Sequence, residues 1–345
     1  TMPELPEVET LCRQLGSVLS GEPILRIEVL DPRLVNPERK RGEGVVVFPG
    51  ISPKDSGLKK VAGLVGRRVE AVTRSGKYIQ FQMEGGLTAR LHLRMSGRLL
   101  FWPKEGLIPV LTHRPPKGRK TPHRDFRDMK PGDVSGSLKT GTDSMGPSIV
   151  EPVPSLNPTF DSEITPSFPP FSRLTIAFSS GTLILLDPRR FATLDVEPPD
   201  RKAPALKDDP MRGLPARRLR EIAKTRRLPV KSFLMDQRIV AGIGNIYACE
   251  ILFAAGIDPR RPVCSLSMTE WRQTAKAAKA ILRRAVHCRG TTISDWRDLF
   301  GCGGTNQDHL EVYSRQGAPC RRCGGRIERI TQGGRGTWFC PTCQK

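Results

Sequence analysis

Four of the nine cysteines are bunched near the C-terminus as two knuckles, Cys320-Arg-Arg-Cys323 and Cys340-Pro-Thr-Cys343, with sixteen residues between them. Each CxxC bends back to present two sulfurs to one ion, so the pair reads as a tetrahedral four-thiolate zinc site of the structural ribbon kind. Between the knuckles, Ile327-Glu-Arg-Ile330, Gln332-Gly-Gly-Arg-Gly336 and Thr337-Trp-Phe339 read as a β-hairpin whose Gly-rich tip carries Arg335. A zinc-anchored hairpin presenting one arginine suits a bidentate grip on a phosphate; a plain surface arginine on a turn fits the same letters equally well. Upstream, Gly242-Ile-Gly244-Asn245-Ile-Tyr247 sets two glycines just before a helix, with Asn245 at or near its N-cap. Free amides at a helix N-terminus would welcome a phosphate, and an ordinary capped turn between helices is the equal alternative.

These groups must be held by two kinds of structure. After Pro6 the segment to Leu19 places Val8, Leu11, Leu15, Val18 and Leu19 on one helical face, with Glu7 and Glu9 in the first turn. Short alternating runs follow at 24–30, 68–73, 77–83, 87–93, 98–101, 173–178 and 182–186, joined by turns such as Ser75-Gly76 and Glu84-Gly85-Gly86. This is the pattern of an antiparallel β-sandwich. Residues 103–171 are dense in Pro, Ser, Gly and charge and lack periodicity, which predicts a largely disordered insertion whose basic first part, His113 to Lys130, adds non-specific phosphate attraction or is a solvated loop without a role. A second, smaller surface insertion is expected at 39–54. The Pro- and charge-rich stretch 196–215 reads as a linker, after which helices are expected at 216–225, 229–235, 246–255 and 269–287.

The chain has 345 residues, enough for two domains and a small appendage. Its 56 Lys and Arg against 35 Asp and Glu give a formal net charge of +21, which points to a polyanionic partner, nucleic acid first. The remaining cysteines are scattered, which fits a reducing compartment with one metal site better than a disulfide framework. No long apolar run and no signal-peptide pattern are seen, so a soluble, cytoplasmic protein without membrane contact is expected.

Taken together, Pro-Glu-Leu-Pro-Glu-Val-Glu-Thr at 3–10, the Lys77 strand, Asp187-Pro-Arg-Arg-Phe191, the Gly242–Tyr247 turn and the terminal ribbon resemble formamidopyrimidine-DNA glycosylase across both domains. The resemblance implies an α+β fold. An N-terminal antiparallel β-sandwich with flanking helices would span 3–195, a helix-two-turns-helix domain 216–312 and a zinc finger 313–345. It implies a monomeric, nucleoid-associated glycosylase and AP lyase that removes oxidised purines from double-stranded DNA, with one structural zinc on Cys320, Cys323, Cys340 and Cys343. By the same resemblance Pro3 is the nucleophile and Glu4 the general acid/base. Lys77, His92, Asn245, Arg335 and Tyr313 contact phosphates. Met95, Arg189 and Phe191 fill the space left by the extruded nucleotide, Arg189 facing the orphaned cytosine. An amine is the right nucleophile because it leaves an iminium that permits elimination, and an N-terminal amine has a usable free-base fraction near neutrality. With Thr1 and Met2 attached the Pro3 nitrogen is an amide, so the working chain is expected to begin at Pro3. Two positions and one loop depart from the family pattern: Ala192 and Ser314 stand where glycine is usual, and 301–308 lacks the aromatic of the usual lesion-covering loop. An endonuclease VIII-like enzyme acting on oxidised pyrimidines is the near alternative, disfavoured because that branch opens differently and lacks the Asp187–Phe191 motif. A non-catalytic damaged-DNA-binding protein is the alternative from another class.

Overall fold

The computed structural model describes residues 2–35, 45–47, 56–104, 168–199 and 209–345. Helix α1, Leu5–Leu19, starts with Pro6 in its first turn, and the Glu7 carboxylate accepts the Glu4 backbone N–H at 2.9 Å. Its apolar face serves two cores. Leu5 packs with the helical half of the chain, whereas Val8, Leu11, Leu15 and Leu19 pack into the β half. One helix therefore bridges both cores, which holds residues 3 and 4 at their junction.

The β half has two sheets. The first runs β2 (Val45–Val47), β1 (Arg26–Val29), β7 (Ser172–Ala177), β8 (Gly181–Leu186) and β6 (Arg98–Pro103). The second is an antiparallel set of β3 (Val69–Ser75), β4 (Tyr78–Met83), β5 (Thr88–His92) and β9 (Thr193–Glu197). Alternation decides which faces meet: Ile79, Phe81 and Met83 of β4 and Ala89 and Leu91 of β5 share one core with Ile27, Leu99, Leu174, Ile176, Leu183 and Leu185. The expected strands are all present to within about two residues. Two strands and a helix were not anticipated. Val196 and Glu197, assigned to the linker, instead close β9 against β5, and Ser56–Ala62 forms helix α2 with Leu58 and Val61 buried. Within the expected insertion at 39–54, Val45–Val47 pairs with β1, and the rest lies outside the described residues. So does 105–167 of the expected 103–171 insertion, including its basic part.

The helical half holds α3 (Ala216–Ala223), α4 (Val230–Met235), α5 (Asn245–Ala255) and α6 (Met268–His287), the last opened by a Ser267–Glu270 capping box. The terminal hairpin, β10 (Glu328–Gln332) and β11 (Arg335–Phe339), turns through Gly333 and Gly334 at φ 56° and 71°, the left-handed pair that a two-residue hairpin turn demands. Among the described residues no helix is long and apolar enough to cross a membrane.

Candidate active site and nucleic-acid interface

Pro3 and Glu4 are both buried where α1 meets the turn before α5. The Leu5 N–H donates to the Gly242 carbonyl at 3.1 Å, and a Cβ on Gly242 would lie 2.7 Å from the Leu5 side chain. That contact and a φ of 101° both need a glycine here. The Glu4 carboxylate accepts the backbone N–H groups of Gly244 (2.8 Å), Ile246 (3.0 Å) and Tyr247 (3.4 Å). The amides read as a phosphate cradle are thus filled by an internal carboxylate, and that reading is corrected: helix-end amides attract any anion, and Glu4 is the one bound at this junction. Gly244 is the N-cap and Asn245 the first residue of the helix. Burial raises the Glu4 pKa, opposed by the charge of Lys77 and by the three amides, which favours a carboxyl able to hold a proton.

Lys77 follows Gly76 in the β3–β4 turn, and Gly76 sits against Ala241 of the turn before α5. Lys77 is buried, and desolvation lowers its pKa while Glu4 pulls it up and Arg335 pushes it down. Lys77 therefore lies within charge reach of both Glu4 and Arg335, three residues contributed by three separate elements. His92 ends β5 opposite Tyr78, stacked edge-on with ring centroids 4.5 Å apart. Desolvation, then Arg94, Lys77 and Arg90, push its pKa down to about 4. It is neutral at pH 7, and because Nδ1 accepts the Arg94 N–H at 2.9 Å, Nε2 carries the proton and is a donor.

The hairpin tip is docked from below. Fully buried Lys231 donates to the Gly336 carbonyl (3.2 Å) and to Thr337 Oγ1 (2.7 Å), and Asn245 Nδ2 donates to the same carbonyl (3.0 Å). Arg335 is exposed next to that anchor. Tyr313 is buried rather than presented: its ring packs on Trp338 at 4.4 Å and its hydroxyl lies by Asn245. Ser314 adopts φ 62°, so the position expected to be glycine keeps the left-handed backbone without it. Buried Glu250 fixes this corner by accepting the N–H groups of Glu311, Val312 and Tyr313.

The three wedge candidates come from two loops tied by one carboxylate. Asp187, fully buried, accepts Ser96 Oγ–H (2.5 Å) and the N–H groups of Arg189 (3.2 Å), Phe191 (2.7 Å) and Ala192 (2.7 Å). Met95 and Phe191 stand 42% and 43% exposed, against the burial expected of core residues, and the Arg189 guanidinium lies 4.8 Å over the Phe191 ring. Apolar side chains held out in water on braced loops are available to enter a base stack. Residue-by-residue reading missed Asp187, Glu7, Lys231 and Glu250. Each is a charged residue at a position of full burial, a signal that periodicity alone does not report.

The four ribbon sulfurs lie within 4.8 Å of one another, with Cys320–Cys343 at 3.9 Å and Cys323–Cys340 at 3.5 Å. A tetrahedron with Zn–S bonds of about 2.3 Å has edges of about 3.8 Å, so the set fits one structural zinc.

A β-sandwich and a helical half sharing one N-terminal helix, with a zinc ribbon docked on the second, define a helix-two-turns-helix protein of the zinc-ribbon class. The chain belongs to the formamidopyrimidine-DNA glycosylase family. Residues 2–194 match the formamidopyrimidine-DNA glycosylase N-terminal domain, 208–296 its H2TH domain, and 317–345 the zinc finger found in FPG and IleRS. It is 34% identical to the formamidopyrimidine-DNA glycosylase of an Exiguobacterium species over the full length of both chains. It is 36% identical to that of Moorella thermoacetica over 95% of this chain and 94% of the relative. Among solved structures, a Lactococcus lactis FPG variant in complex with a Fapy-dG containing DNA superposes with a TM-score of 0.71 at 25% identity, covering 99% and 100% of the two chains. The Lactococcus lactis Fpg bound to abasic-site DNA gives 0.70 at 26%, covering 99% of each.

Proposed function

We propose that this chain is a DNA glycosylase and AP lyase of base-excision repair, releasing oxidised purines from double-stranded DNA through the amine of Pro3. The observation that carries the reading is the burial of Pro3-Glu4 at the junction of the two cores, with Glu4 held by the α5 amides and Lys77 within charge reach of both Glu4 and Arg335. Family membership and the DNA complexes of the Lactococcus lactis proteins support it.

In the proposed reaction the Pro3 nitrogen attacks C1′ of the extruded nucleotide as the C1′–N9 bond breaks, the proton displaced from the amine leaves with the base, and Glu4 delivers a proton to the sugar ring oxygen so that the ring opens to an iminium ion. Loss of the 3′ and then the 5′ phosphate follows by β- and δ-elimination, leaving a one-nucleoside gap. Lys77, His92, Asn245 and Arg335 grip the backbone, with Tyr313 supporting Asn245. Met95, Arg189 and Phe191 occupy the vacated stack, and zinc on Cys320, Cys323, Cys340 and Cys343 only holds the hairpin. The reading assigns the sandwich to 3–195 and the helical and zinc segments to 216–312 and 313–345. One chain supplies every proposed site residue, in keeping with a monomer working on chromosomal DNA. The test is incubation of a chain beginning at Pro3 with duplex DNA carrying 8-oxoguanine opposite cytosine. Free base and a gap with phosphate at both ends are expected; intact strands and no free base would refute the proposal.

A further inference from the structure

Glu7 is a buried carboxyl with three donors: the Glu4 N–H on Oε2 (2.9 Å), and Tyr247 Oη–H (2.7 Å) and the Thr291 N–H (2.8 Å) on Oε1. Tyr247 has a single proton, so with Glu7 ionised its oxygen must accept from Thr291 Oγ1 at 2.8 Å. Thr291 Oγ1 in turn accepts from Asn306 Nδ2 at 2.8 Å. The hydroxyls therefore all point one way, Asn306 to Thr291 to Tyr247 to Glu7, and every member is at most 3% exposed. Such a chain polarises cumulatively toward its anion.

The far end carries a second observation. Asn306 Oδ1 is buried without a hydrogen-bond partner among the described residues. An amide end is two-faced. Turned over, it would accept from Thr291, freeing Thr291 to accept from Tyr247 and Tyr247 to accept a proton held on Glu7. Both protonation states of Glu7 then leave every hydroxyl paired. We infer that Asn306, Thr291 and Tyr247 form a reversible hydrogen-bond chain ending on the Glu7 carboxyl, with Asn306 the positioning residue that lets it run in either direction. Because Glu7 also holds the amide between Pro3 and Glu4, the chain couples the 290–306 segment to the catalytic end of α1. That coupling rests on the function proposed above, whereas the chain itself does not.

The charged and titratable groups facing Glu7 are Glu4 on its own helix, Lys77 from the β3–β4 turn and Tyr247 from α5. Burial and Glu4 raise the Glu7 pKa to about 7, so both directions are accessible near neutrality.

Titration of the Glu7 side-chain carbon by NMR in the free, zinc-loaded protein tests the chain. Asn306→Leu removes the forward donor to Thr291, but in the reversed direction it leaves the buried Thr291 hydroxyl proton with no acceptor, the larger cost, and should lower the Glu7 midpoint by about one unit. Tyr247→Phe removes a donor to the anion and should raise it. In the Tyr247→Phe background Asn306→Leu should then have no further effect, since the chain is already cut. Loosened packing would instead lower the midpoint in both backgrounds, and that result, or no shift in either, overturns the inference. Thr291→Val repeats the test isosterically where Asn306→Leu does not fold. Midpoints that move as expected while the pH profile of DNA cleavage stays fixed support the chain and overturn its coupling to the catalytic end of α1; absence of any cleavage with the same midpoints would count against the function proposed above and leave the chain standing.

Discussion

Asp187→Asn is the substitution whose consequence is best specified by the geometry. The native carboxylate takes four donors, two on each oxygen, with no exposure to water. An amide keeps one acceptor oxygen. If that oxygen stays on the two 2.7 Å partners, the N–H groups of Phe191 and Ala192, the new NH₂ turns toward Ser96 and Arg189. Ser96 can reverse and accept; the Arg189 N–H cannot, and two donors then face each other. One charge-assisted bond is lost and the other three become neutral. At about 1.5–3 kcal/mol for a bond to a charged group and about 1 kcal/mol for a neutral one, the expected loss of stability is at least about 3 kcal/mol. The same change releases the loops carrying Met95 and Phe191. Urea denaturation should register the stability loss. A duplex with 2-aminopurine beside the lesion should show weaker extrusion at saturating protein, with undamaged DNA bound normally. A variant within about 0.5 kcal/mol of wild type, a margin usual for neutral surface changes, and extruding normally, would refute the bracing role.

Three further outcomes follow from the site. Gly244→Ala places a Cβ 2.4 Å from the Glu4 carboxyl carbon, so the variant should bind DNA but lose base release, measured by gel shift and by free base in parallel. Chelation should remove one zinc per chain and abolish DNA binding, because the Gly336 anchor for Asn245 and Lys231 belongs to the zinc-held hairpin; a metal assay with gel shift checks this. Glu7, fully buried and raised from 4.5 to about 7, contributes stability that is complete below pH 4.5 and lost as pH rises through 7. That is on the order of 3 kcal/mol, so urea midpoints of Glu7→Gln should depend less on pH than those of wild type over this window.

The elements that carry strong local signals were legible. Alternation in β4 and β5, the knuckles and the glycine pair of the hairpin each follow from one or two residues acting on nearby backbone. Strand β9 was not, because Thr193–Glu197 is short and Pro-flanked and gains its identity from pairing with β5. At the site, residue types named the chemistry but not the company they keep. The amides after Gly242 read as a phosphate site because their natural partner, Glu4, is 240 positions away from Gly244. Glu7 looked like a helix-start acid that favours the dipole; only the packing of Tyr247 and Thr291 against it shows a second use. Met95 and Phe191 could equally have been core, and their exposure depends on an aspartate that braces its own loop through three backbone N–H groups and reaches the other loop through Ser96.

The most direct test of the central claim uses a chain whose first residue is confirmed by mass to be Pro3, mixed with an 8-oxoguanine–cytosine duplex and borohydride. Reduction of the iminium ion should leave a protein–DNA adduct whose linked residue maps to Pro3, and blocking the Pro3 amine beforehand should abolish it. Tight binding with no adduct, or an adduct mapped to a lysine, would contradict the account.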